Sequence, residues 1–257
     1  TEKFPDFKAN ILGAVRKEKF IYLKKNDQML EDDNVYVVVS SDQLNPILKA
    51  FGHEEKVAKN VLIIGGGVAG MQCALILGSA NEKIVASGKN IGIIIHQKSS
   101  HLQNALFNNT IGIKPGTLGS DILTDGKKHL TEKYPHILQI QNEKVIAITS
   151  SENGYLITTN KSIYFSKIVV LALNYSRPLT IKGLENFVIP HKRANPKKDR
   201  IQLKNEHFLI KEGLYVCGTI AGLRSQFSIA AGSGATVATD ILTLWNDGEH
   251  TKVHDKV

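Results

Sequence analysis

The sequence predicts an α/β fold: a Rossmann-like three-layer domain with a small antiparallel β layer, preceded by a small α+β unit. Three observations predict it. Val61-Leu62-Ile63-Ile64 is an unbroken apolar run, as expected of a parallel strand buried on both faces. Gly65, Gly67 and Gly70 follow at the spacing G-x-G-x-x-G, and apolar or small residues then continue to Gly78 as a helix would. Finally, short alternating runs between residues 139 and 172 read as strands.

The glycine spacing carries a physical prediction. Gly65 makes the tight turn, Gly67 lets the backbone approach a pyrophosphate, and Gly70 lets helix and strand pack closely. Phosphates would sit at the helix N-terminus, where unpaired amides and the dipole favour negative charge.

Composition narrows the classes. The 257 residues are 42% apolar and 22% charged, an ordinary globular balance. No apolar run approaches the roughly 20 residues of a membrane span, so none is expected. The net charge of +8 is spread over scattered lysines without an aromatic-basic platform, which argues against a nucleic-acid partner. Cys73 and Cys217 are the two cysteines. Their apolar surroundings predict inert thiols, and there is no C-x-x-C dithiol. The chain begins Thr-Glu-Lys without a signal sequence, so a cytoplasmic location is expected.

Residues 1–57 read as one unit. Strands are expected over 8–15, 20–23 and 34–39, with turns at Asn26-Asp27 and at 31–33. A short helix over 42–51 would be capped by Asp42 and ended by Gly52. The pattern running from Ala9 to Arg16, Asp27 and Asp32 before 35–39, and Leu48-Lys49-Ala50-Phe51-Gly52-His53-Glu54-Glu55 resembles the C-terminal subdomain of TrkA-type regulators of potassium transport. The resemblance implies subdomains that pair, hence a homodimer, and a peripheral contact with a transporter. Residues 53–59, rich in charge, read as a short linker.

Residues 58–257 form the second unit. Residues 90–95 read as its second strand, and a carboxylate is usual at that strand's end to hold the adenosine ribose. His96 and Gln97 stand there instead, both able to hydrogen-bond a hydroxyl. The loop over 99–112 is rich in amides and contains His101 and Asn109, a mix of donors and acceptors suited to a flavin edge. Residues 119–134 read as an amphipathic helix begun by Ser120-Asp121. Runs at 139–141, 144–148, 155–158 and 162–165 suggest the antiparallel layer, and 167–172 returns as a buried strand. The basic segment 190–200 reads as a solvated loop. Residues 212–222 then give a strand and loop before a long helix, with Ser225 as its N-cap.

Taken together, the glycine turn, the amide-rich loop, the antiparallel layer, and Leu214-Tyr215-Val216-Cys217-Gly218-Thr219 before Ser225-Gln226-Phe227-Ser228-Ile229-Ala230-Ala231-Gly232-Ser233-Gly234 resemble the FAD-binding domain of thioredoxin-reductase-like flavoproteins over about residues 60–245. The resemblance implies FAD, held at its pyrophosphate by Gly65, Gly67, Val68, Ala69 and Gly70. His96 and Gln97 would face the ribose, and His101 and Asn109 would stand where the family has Gln and Asn. Val145 would meet the adenine end, Ala172 would follow the returning strand, and Gly218-Thr219 would lie by the ribityl chain. Ser225, Gln226 and Phe227 would open the helix toward the flavin ring.

The family inserts an NADPH domain between the returning and closing strands. Leu173 and Gly213 are only 40 residues apart, below the roughly 50 a domain needs. The expectation is therefore a flavoprotein oxidoreductase whose electrons come from, or go to, a separate small molecule or protein. The alternative is a nucleotide-binding regulatory module of a potassium-transport system.

Overall fold

A computed structural model of the protein describes residues 9–17, 19–24, 26–30, 33–39, 55–96, 100–251 and 253–254. The expected helix over 42–51 lies outside them, as does Gln97. The chain divides into two units, Thr1–Glu55 and Lys56–Val257.

In the first unit, alternating residues build a sheet of order β2-β1-β3, with β1 at Ala9–Arg16, β2 at Lys19–Ile21 and β3 at Asn34–Val39. Both pairings are antiparallel. The turn at Asn26-Asp27 forms as expected, the Asp27 carboxylate accepting from the Lys24 amide at 2.7 Å. Arg16 reaches Asp33 with two nitrogens, Nε at 2.8 Å and Nη2 at 2.7 Å, and Asp33 also accepts from the Leu30 amide. The Arg16 hydrogen bonds, followed by that amide, hold the Asp33 carboxyl down at about 2. A depressed carboxylate stabilises the fold above its unfolded value and loses that contribution as pH falls through the folded one. Thermal stability of the wild type should therefore fall from roughly pH 4 down to pH 2. In Asp33→Asn that stretch of pH dependence should flatten, which circular dichroism melts would show.

Apart from the short strands β6 (Leu106–Phe107), β7 (Thr117–Leu118), β12 (Val188–Pro190), β13 (Ile201–Leu203) and β14 (Leu209–Lys211), the second unit is built on β4 (Glu55–Ile64), β5 (Ile91–Ile95), β8 (Leu138–Gln141), β11 (Ile163–Leu171) and β15 (Leu214–Val216). Their order in the sheet is β15-β11-β4-β5-β8. The pairs β4–β5, β5–β8 and β11–β15 are parallel. In chain order this is 3-2-1-4-5, whose reversal point between β4 and β11 leaves a crevice at the strands' carboxyl ends. Val61 to Ile64 and all of β5 are buried, as the apolar runs require.

Side-chain alternation splits the core. Val61, Ile63, Ile91 and Ile93 face one cluster with α1 (Val68–Ser79) and α3 (Phe227–Trp245). Leu62, Ile64 and Ile94 face the other, with Ile148, Ile157 and Tyr164 of the antiparallel strands β9 (Val145–Ser151), β10 (Gly154–Thr159) and β11. The remaining helix, α2, covers Gly119–Lys133 and buries Leu123 and Leu130.

Three expectations need correction. Residues 55–59 are the start of β4, not a linker, because backbone pairing decides there despite the charged composition. Residues 139–141 belong to β8 at the edge of the parallel sheet; one exposed face gives such a strand the same alternation as an antiparallel layer. Residues 162–165 and 167–172 fall almost wholly on one strand, β11, whose first half pairs with β10 and whose second half pairs with β15. Helix α3 is by length and composition apolar enough to cross a membrane, the one such helix among the described residues. It instead buries Val237, Ala238, Ile241 and Leu242 in the core beside α1.

Candidate functional site

A cavity of about 590 Å³ opens at the carboxyl ends of all five parallel strands. Gly65 follows β4, His96 follows β5, Glu143 follows β8, Ala172 follows β11 and Gly218 follows β15, and each lines it.

The glycine turn does what its spacing requires. Gly65 has φ +119°, a conformation closed to side chains, and an added Cβ there would overlap the Ala172 carbonyl. A Cβ on Gly70 would overlap the Gly65 carbonyl, so helix and strand touch through that position. Gly67 is different: a Cβ there would meet nothing within 4 Å and would point into open space. It is also the N-cap of α1, and no side chain caps that helix. The first-turn amides therefore border a cavity wide enough for an anion to approach them.

A second helix end meets the same cavity. The N-cap of α3 is Gln226, not Ser225, with extended φ/ψ and no side-chain cap. Ser225, Gln226, Phe227 and Ala230 all line the cavity. Ser233 on α3 accepts from the Gly218 amide at 2.9 Å while donating to the Ala230 carbonyl, which ties the loop after β15 to the helix. The ring of Phe227 meets that of Phe107 edge-on at 5.3 Å.

Of the residues expected at the site, the cavity gathers Gly65, Gly67, Val68, Ala69, His96, His101, Val145, Ala172, Gly218, Thr219, Ser225, Gln226 and Phe227. Gly70 lies behind the turn, and Asn109 is exposed and away from the lining. Sequence reasoning missed Phe107, Glu143, Lys144, Asn174 and the run from Pro178 to Ile181. Only the strand order, which places β8 beside β5, reveals Glu143.

The basic segment is anchored at both ends. His191 is buried, its Nδ1 accepting from the Arg193 and Ala194 amides, so Nε2 carries the proton donated to the Thr219 carbonyl at 3.1 Å. Arg200 lies over the Tyr175 ring, and its Nη1 donates to Ser176. Lys192, Arg193, Lys197 and Lys198 between them are exposed, as a solvated loop requires.

Both thiols are buried. Burial pushes Cys217 up to about 12 and Cys73 well above its ordinary range, as expected of inert cysteines. Among the described residues no group of His, Cys, Asp and Glu could hold a metal.

No family model matches the chain. Solved structures share the fold. A thioredoxin reductase from Gloeobacter violaceus is 14% identical with a TM-score of 0.55, over 79% of this chain and 99% of that one. An oxidoreductase from Agrobacterium tumefaciens is 13% identical, with a TM-score of 0.55 over 72% and 97%. A ferredoxin-flavin thioredoxin reductase from Clostridium acetobutylicum is 16% identical, with a TM-score of 0.53 over 74% and 99%. In sequence, the Trk system potassium uptake protein TrkA of Azorhizobium caulinodans is 36% identical over 93 residues, 35% of this chain. The match spans about a fifth of that relative's length.

Proposed function

We propose that this chain is an FAD-binding flavoprotein oxidoreductase that exchanges electrons with a separate partner. The observation that carries the reading is the convergence of two helix N-termini without side-chain caps, at Gly67 and Gln226, on one cavity at the sheet's reversal point. A dinucleotide with a pyrophosphate and an electron-rich ring needs positive potential at two separated places. The amides after Gly67, beside Gly65, Val68 and Ala69, would hold the pyrophosphate. Glu143, Lys144 and Val145 would face the adenosine, Gly218 and Thr219 the ribityl chain, and Gln226 with Phe107 and Phe227 the ring. FAD, when bound, supplies two-electron or one-electron transfer. The protein orients it, and the dipole of α3 favours negative charge at the ring's polar edge. Two buried thiols, and a 40-residue stretch where the resemblance to thioredoxin reductases would imply a second nucleotide domain, support leaving the reductant and the acceptor to other molecules. Freshly purified protein should be yellow, or should quench FAD fluorescence on titration with a Kd in the micromolar range or below. A colourless protein that leaves added FAD unquenched overturns the reading.

A second reading rests on the TrkA match, whose 93 residues outnumber the 55 of the first unit and so reach into the nucleotide unit. It describes a regulatory module that pairs through its first unit and docks on a potassium transporter in response to a nucleotide. Calorimetry with NADH, ATP and FAD separates the two: tight FAD with silence toward the others supports the enzyme, and the reverse supports the regulator.

A further inference from the structure

Between β11 and β15 the chain builds a small lobe around the antiparallel pair β12 and β13, in which Val188 faces Leu203 and Pro190 faces Ile201. This lobe grips the loop after β15 at three successive places. His191, the residue after β12, donates from Nε2 to the Thr219 carbonyl at 3.1 Å. Asn205, just past β13, donates to the Ala221 carbonyl at 3.1 Å. Gln202, within β13, packs so closely on Gly222 that a Cβ there would stand 2.7 Å from its Oε1. From the other side, Ser233 of α3 takes the Gly218 amide.

The His191 contact is fixed on both sides. The Thr219 carbonyl also accepts from the Gly222 amide at 3.0 Å, which closes a short turn, and the imidazole takes its second lone pair. The ring's own orientation is set by the Arg193 and Ala194 amides on Nδ1 and by the Tyr175 ring, edge-on at 5.3 Å. Tyr175 in turn meets the His101 ring at 5.6 Å. Thr219 and His101 both line the cavity, while His191 is buried outside its lining. One imidazole thus holds one cavity wall directly and touches a second through an aromatic ring.

Resting on the FAD reading above, we propose that His191 is a positioning residue for the flavin half of the cofactor, setting the Gly218-Thr219 backbone against the ribityl chain before the cofactor arrives. Ordering the loop in advance removes a cost that the ligand would otherwise meet on binding. The adenosine half, which that reading places at the ends of β5 and β8, makes no use of the loop.

Two amide substitutions divide the imidazole's two jobs. His191→Asn keeps an acceptor where Nδ1 stands, for the two local amides, and loses the reach to Thr219. His191→Gln keeps a donor where Nε2 stands and loses that acceptor. On the full chain, FAD affinity measured by fluorescence should fall about tenfold in His191→Asn and stay within about threefold of the wild type in His191→Gln. ADP, which has neither ribityl chain nor ring, should bind both variants like the wild type in calorimetry, and that binding shows each variant to be folded. If FAD is instead lost in His191→Gln and kept in His191→Asn, the assignment is overturned, because His191 then serves only the corner of its own loop. Parallel losses of FAD and ADP overturn it too, since they mark general damage to the fold, and so does a His191→Asn variant that binds FAD like the wild type. In these three cases the FAD reading stands. A wild type that binds no FAD overturns that reading and this one together.

Discussion

Gly67→Asp should fold at least as well as the wild type and lose about a thousandfold in FAD affinity. The two effects have opposite signs because they come from the same place. Gly67 caps α1 without a side-chain hydrogen bond, and nothing lies within 4 Å of a Cβ added there. Aspartate is a good N-cap and places negative charge at the positive end of a helix, so apo stability should hold or rise by a few tenths of a kcal/mol. The same carboxylate would stand in the trough meant for the pyrophosphate. At about 4 Å, with an effective dielectric near 20, the repulsion is about 4 kcal/mol, a factor of about a thousand. Fluorescence titration gives the affinity and a thermal melt without ligand gives the stability. Gly67→Ala is the control: it adds bulk without charge and should lose about tenfold. An aspartate variant that binds FAD like the wild type would refute the placement of the phosphates.

Gly65→Ala should do the reverse, damaging the fold first. At φ +119° the backbone is held where side chains are rarely found, and the new methyl would overlap the Ala172 carbonyl after β11. Strain of this kind costs about 1–3 kcal/mol before the overlap is counted. A total of about 3–5 kcal/mol is expected, which for a unit of this size lowers Tm by roughly 6–20 °C. Because Ala172 also lines the cavity, nucleotide affinity should fall with stability. Scanning calorimetry with and without FAD measures both, and a shift under about 2 °C would contradict the close approach.

The contrast between these two glycines follows from the spacing, which puts Gly65 in the tight turn and leaves Gly67 facing open space. The buried strands were equally legible: Val61-Leu62-Ile63-Ile64 and Ile91–Ile95 are apolar on both faces, a pattern few other environments produce. What the sequence hid was pairing. Gln139-Ile140-Gln141 alternates whether its neighbour is antiparallel or parallel, and only the ladder to β5 decides. The charges at 53–59 suggested a connector, yet β4 begins at Glu55. Ser225 looked the better cap, but Gln226 holds the extended φ/ψ. Glu143 stayed hidden because it reaches the cavity from the end of β8, whose place beside β5 is set by the sheet order. Proximity across strands cannot be read off spacing within one.

The crossing of α1 and α3 has a consequence for biosynthesis. A Cβ on Gly234 would overlap the Ala69 carbonyl, so the last helix lies directly against the first turn of the helix that begins the glycine cradle. A ribosome must therefore extend the chain past Gly234 before the cradle can acquire that wall. Nascent chains arrested short of Phe227 should therefore fail to capture FAD.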